Sequence, residues 1–152
     1  MTIPDKLPIK RIEDYHTHYL GQVADGRLFW GYQTFVFDKS YSGIQQGEDW
    51  QKHRKEYVLV HMFDKDGNYI TTKYWVAGLP SDVNDQQLED KLNTLVKELG
   101  DIVFKDIEIK LFQVQIDNII FGLVIDENNK LINLQPGSSI SFHEPWDGEY
   151  YT

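Results

Sequence analysis

Two β-rich runs, residues 57–63 and 69–76, flank Asp64-Lys65-Asp66-Gly67-Asn68, and this pattern constrains the fold more than any other. A short loop with glycine after an aspartate, between runs rich in Tyr, Val, Ile and Thr, predicts an antiparallel hairpin. A hairpin cannot bury its apolar face alone, so the rest of the chain must supply further strands or a helix.

Both are present. Over residues 27–37, Phe29, Phe35 and Phe37 share one strand face while Leu28, Trp30, Tyr32 and Val36 share the other. Apolar residues on both faces predict a strand covered from two sides. Gly31 leaves a gap there for a ring from a neighbouring strand, or for a bulge. Asp25-Gly26 predicts a turn that follows a strand within residues 15–23. Leu88, Leu92, Leu95, Val96 and Leu99 form one helical stripe. Asn84 with Gln87 makes a capping-box pattern, and Gly100 stands where helices commonly stop.

Beyond the helix, Ile107, Ile109 and Leu111 alternate in one phase, and Phe112, Val114 and Ile116 in the other. A bulge or a change of covering layer is expected at Leu111-Phe112. Asp117-Asn118 and Glu127-Asn128-Asn129 predict turns into strands at 119–125 and 131–134, with a last strand at 140–142. Pro4 and Pro8 make residues 1–15 an extended lead-in. Residues 40–49 suit a surface loop, and 50–56 one or two helical turns. The expected fold is therefore a single α+β domain over residues 1–152. It is mainly an antiparallel twisted sheet of about six to eight strands, with one principal helix, residues 85–99, on one face.

Composition bounds the function by exclusion. The chain has no cysteine, which removes disulfides, thiolate metal sites and thiol catalysis. Its net charge is −9, and its only basic run, Lys52-His53-Arg54-Lys55, lies between Asp49 and Glu56. A phosphate backbone demands a concentrated basic footprint, so no nucleic-acid partner is expected. The same charge suits a basic protein partner drawn in by long-range attraction. Residues 1–10 hold no apolar leader, and no apolar run reaches the length of about eighteen needed to cross a bilayer. No membrane association and a cytoplasmic location are the expectations.

Two stretches could carry chemistry. On a strand, His16 and His18 of His16-Thr17-His18 would face the same way and could reach one ion. His61, His143, Glu144 or Asp147 could add ligands. The plainer alternative is two histidines on a half-exposed strand beside Tyr15 and Tyr19. The C-terminal segment collects His143, Glu144, Trp146, Asp147, Tyr150 and Tyr151 without strand periodicity. Rings beside charges favour interfaces and pockets, but the same rings could simply pin the segment over the sheet. The candidate binding residues are His16, His18, His143, Glu144, Trp146 and Asp147; no catalytic set, metal or cofactor is assigned.

Other motifs fail on spacing. Counted from Asp64, a calcium loop needs glycine sixth and glutamate twelfth, where Tyr69 and Trp75 stand. Gly137-Ser138-Ser139 lacks the second glycine of a nucleophile elbow.

Several segments together carry a resemblance. They are Asp14-Tyr15-His16-Thr17, Asp25-Gly26-Arg27 with Phe29 and Gly31, Phe112-Gln113-Val114, Phe121-Gly122-Leu123-Val124, and Phe142-His143-Glu144-Pro145-Trp146-Asp147-Gly148. Through them the chain resembles a family of small bacterial proteins, some of which carry the name formate hydrogenlyase regulatory protein. The resemblance runs through most of the chain and implies no catalytic or binding residue.

Two functions follow as expectations. One is a non-enzymatic interaction or regulatory domain, for example an immunity-type protein that neutralises a basic toxin. The other is a small enzyme, or a ligand- or metal-binding domain, centred on His16, His18 and His143.

Overall fold

The computed structural model describes residues 2–12, 16–37, 54–78, 83–137 and 140–152. The loop expected at 40–49 lies outside these residues, as do residues 50–53 of the expected helical turns; residues 54–56 belong to a strand instead.

The described residues form twelve strands and one helix, an α+β fold dominated by antiparallel pairing. The strands exceed the six to eight expected and divide among three sheets. In chain order they are β1 (Leu7–Ile9), β2 (Tyr19–Val23), β3 (Leu28–Phe37), β4 (Arg54–Phe63), β5 (Tyr69–Gly78), then α1 (Asp85–Lys97), β6 (Ile102–Phe104) and β7 (Ile107–Ile109). The second half adds β8 (Gln113–Ile116), β9 (Ile119–Asp126), β10 (Leu131–Gln135), β11 (Ser141–Phe142) and β12 (Tyr150–Tyr151). The large sheet has the order β5-β4-β3-β2-β6, the second sheet β12-β11-β10-β9-β8, and β1 pairs only with β7.

Alternation along β3 and β4 builds a three-layer packing. Phe29, Val58, Val60 and Met62 point to α1 and meet Leu88, Leu92, Leu95, Val96 and Leu99. Leu28, Trp30, Tyr32, Tyr57, Leu59 and Phe63 point the other way, onto Phe121, Leu123, Ile132, Leu134 and Phe142 of the second sheet. Leu7, Ile9, Ile107 and Ile109 of the β1–β7 ribbon join that core. The gap at Gly31 is filled by the helix: a Cβ there would lie 3.2 Å from Leu92 Cδ1.

The capping box forms as predicted. Gln87 N donates to Asn84 Oδ1 at 2.9 Å, and Asn84 N donates to Gln87 Oε1 at 2.9 Å. The helix ends at Lys97, two residues before the expected boundary, with Leu99 still buried on the stripe. Replacing Asn84 with alanine should cost about 1 kcal/mol, read as a lower midpoint in urea; an unchanged midpoint would show that the cap contributes nothing. The helix has 13 residues, and no described helix is long and apolar enough to cross a membrane.

The phase flip at Leu111-Phe112 marks a change of partner. Here the chain leaves the ribbon with β1 and enters the second sheet beside β9. The register shifts recorded between β4 and β5 lie elsewhere, at Glu56/Tyr57 and Met62/Phe63.

Candidate functional site

The histidine pair sits in a turn. His16 and Thr17 precede β2, which begins only at Tyr19, so the strand geometry expected to align His16 with His18 does not apply. His16 is buried, its ring 6.4 Å edge-on from Tyr150, and its carbonyl accepts from Trp30 Nε1 at 2.7 Å. His18 is half-buried and lies edge-on to Tyr19 at 4.6 Å, with Arg11 Nη2 3.4 Å from its Nδ1. His143 stacks on Tyr151 at 4.3 Å. Among the described residues, no three His, Asp or Glu side chains are grouped to hold a metal ion.

The C-terminal segment works as a clasp. Trp146 packs against the main core, and its Nε1 donates to the Thr2 carbonyl at 2.8 Å. Lys10 N donates to the Gly148 carbonyl at 3.0 Å, and Lys10 Nζ lies 3.6 Å from Glu149. Tyr150 meets the Thr17 hydroxyl at 2.6 Å. Of the candidate binding residues, Trp146 therefore serves to pin the segment. Glu144 is exposed at the surface, its carbonyl 2.9 Å from His143 Nδ1. Asp147 lines a groove with residues distant in sequence.

Two polar clusters escaped those candidates. His61 is fully buried between the sheets, with Nε2 2.8 Å from the Tyr32 hydroxyl and Nδ1 2.7 Å from Thr72 Oγ1. Thr72 Oγ1 is in turn 2.7 Å from the Tyr69 hydroxyl, which completes a chain toward the β5 edge. Burial holds the His61 imidazole down at about 3, neutral at ordinary pH. On the other sheet face, the Tyr19 hydroxyl donates to Glu89 and Asn93 of α1. Burial, then the Glu89 hydrogen bond and charge, push that hydroxyl up to about 12. The first links β3, β4 and β5 within the large sheet, and the second ties that sheet to α1. Tyr57, Leu59, His61 and Phe63 share one strand phase, so period two alone places His61 inside.

Among the described residues, two surface features bear on a ligand or partner. β5 pairs with β4 along one side and, among the described residues, with no strand along the other. Ile70 and Tyr74 on it are 48% and 50% exposed. The second feature is the groove of about 490 Å³ that holds Asp147.

No family model, curated protein or solved structure matches the chain.

Proposed function

We propose that the chain is a non-enzymatic cytoplasmic interaction or regulatory domain that adds a strand of a basic protein partner to the outer edge of β5. The β5 edge carries this reading. It is ten residues long, whereas β6, β8 and β12 at the other edges of the two five-stranded sheets have three, four and two. Natural proteins blunt such edges with charge, proline or brevity. Tyr69–Gly78 holds a single charged side chain, Lys73, and no proline. An extended peptide laid along it gains main-chain hydrogen bonds and finds Ile70 and Tyr74 as apolar contacts. The net charge of −9 favours encounter with a cationic partner, and an immunity-type domain that captures a basic toxin is one form of this function.

A pull-down from the source cell at low salt should recover a stoichiometric basic protein. The Ile70→Lys and Tyr74→Lys variants should lose it while keeping the wild-type melting curve. Recovery of no stoichiometric protein, or equal recovery by the variants, overturns the proposal.

A further inference from the structure

The groove differs in charge from the rest of the molecule. Lys6, Lys10, Lys65 and Lys105 line it, four of the chain's 15 lysines and arginines. Asp106, Glu108 and Asp147 line it too, three of its 24 carboxylates. Four minus three leaves the groove at +1 in a chain of −9.

The lysines come from three separate segments. Lys6 and Lys10 flank β1, where period two turns Leu7 and Ile9 into the core and leaves the lysines outward. Lys65 sits at the tip of the β4–β5 hairpin, and Lys105 in the link from β6 to β7. Asp106, Glu108 and Asp147 lie among these lysines and offset most of their mutual repulsion, leaving one positive charge in excess among the lining residues. Two of the carboxylates are already engaged by backbone: Asp106 accepts from Arg11 N at 2.7 Å, and Asp147 from Glu149 N at 3.1 Å. Lys10 is paired with Glu149, but among the described residues Lys6, Lys65 and Lys105 enter no ion pair. The volume falls within the usual range for small-ligand sites, and Pro8, Leu28 and Ile107 supply apolar wall.

From this convergence we infer that the groove binds a small molecule carrying two or more anionic groups, phosphate or carboxylate. Lysine ammoniums serve such ligands as point charges on mobile stems. The acidic remainder of the surface does not abolish the attraction, because salt screens exposed charges beyond about 8 Å at physiological ionic strength. Nothing here depends on the β5 edge, so either proposal can fail alone.

The test is calorimetric titration of the full chain at physiological ionic strength, with inorganic pyrophosphate in one arm and citrate in the other. Saturable one-to-one binding of either is expected. Pyrophosphate alone would assign a phosphate ligand, citrate alone a carboxylate ligand, and both a site selective for charge. The Lys65→Gln/Lys105→Gln variant should weaken binding by roughly tenfold or more. The Lys73→Gln/Lys97→Gln variant, which removes the same charge elsewhere, should leave it unchanged. No saturable binding in either arm, or equal weakening by both variants, overturns the inference.

Discussion

Replacing Trp30 with alanine is expected to destabilise the protein by about 4 kcal/mol and lower its Tm by roughly 8–16 °C. Trp30 is 0% exposed and lies between the large sheet and the second sheet, 5.4 Å from the Tyr32 ring and 6.5 Å from Phe142. Its removal leaves a cavity that the two sheets cannot close without shifting. It also strips the buried His16 carbonyl of its indole donor. Trp30→Phe separates the two effects, because it keeps a ring but no donor, and should cost roughly 1–3 kcal/mol for the unpaired carbonyl. Urea unfolding measures both. A loss below about 1 kcal/mol for the alanine variant would contradict a two-sided core around this side chain.

Mild acid is the second large perturbation. Burial lowers the His61 pKa from 6.5 to about 3, so the unfolded chain takes up a proton below 6.5 while the folded one stays neutral. Between these values the unfolded state binds more protons, and stability falls with pH by about 1.4 kcal/mol per unit. Above 6.5 this group contributes no slope, and below about 3 the loss is complete. Asp25, Asp64 and Asp126 are also held below their ordinary 3.8, so they add loss only at the acid end of the range. Unfolding free energies at pH 7 and pH 5 should therefore differ by roughly 2 kcal/mol. His61→Gln, which can still pair with Tyr32 and Thr72 without titrating, should reduce that difference sharply. An unchanged difference in the variant would assign the acid sensitivity to other groups.

Local features were the most legible in the sequence. The capping box at Asn84 and Gln87 and the leucine stripe of α1 follow from neighbours a few residues apart, where geometry leaves little choice. The hairpin of β4 and β5 is legible for the same reason: Asp64 accepts the backbone N–H groups of Asp66 and Asn68 and closes its loop. Partner choice was less visible. Alternation says which side chains face inward but not which sheet receives them, so Leu111-Phe112 suggested either a bulge or a layer change. Very short strands, β6 and β12 among them, carry too few residues to show a period.

The candidate site was legible only in fragments. Asp147 was singled out for its place among aromatic and charged neighbours, yet the lysines around it come from segments that meet only in the folded chain. His16 and His18 suggested a shared ligand because two residues apart on a strand face alike. The turn before Tyr19 removes that premise. One feature of the second sheet was masked by its own simplicity. Gly122 sits inside β9 at φ +136°, where an added Cβ would lie 2.2 Å from the Phe112 carbonyl oxygen. Within an apolar run it looked like an ordinary strand residue, although it permits the close approach of β8.

The clasp between the two ends also dictates an order of assembly. Trp146 reaches Thr2 across 144 positions of sequence, and Tyr150 reaches Thr17 across 133. Among the described residues, β1 finds its strand partner in β7. A chain emerging from the ribosome can form β2 to β5 and α1 early, but its first strand must wait for β7. Contacts of such span slow folding, since a large loop must close before they give anything back. A large sheet formed before β8 to β12 would show one bare apolar face, because Leu28, Trp30, Tyr32, Tyr57, Leu59 and Phe63 are covered by the second sheet.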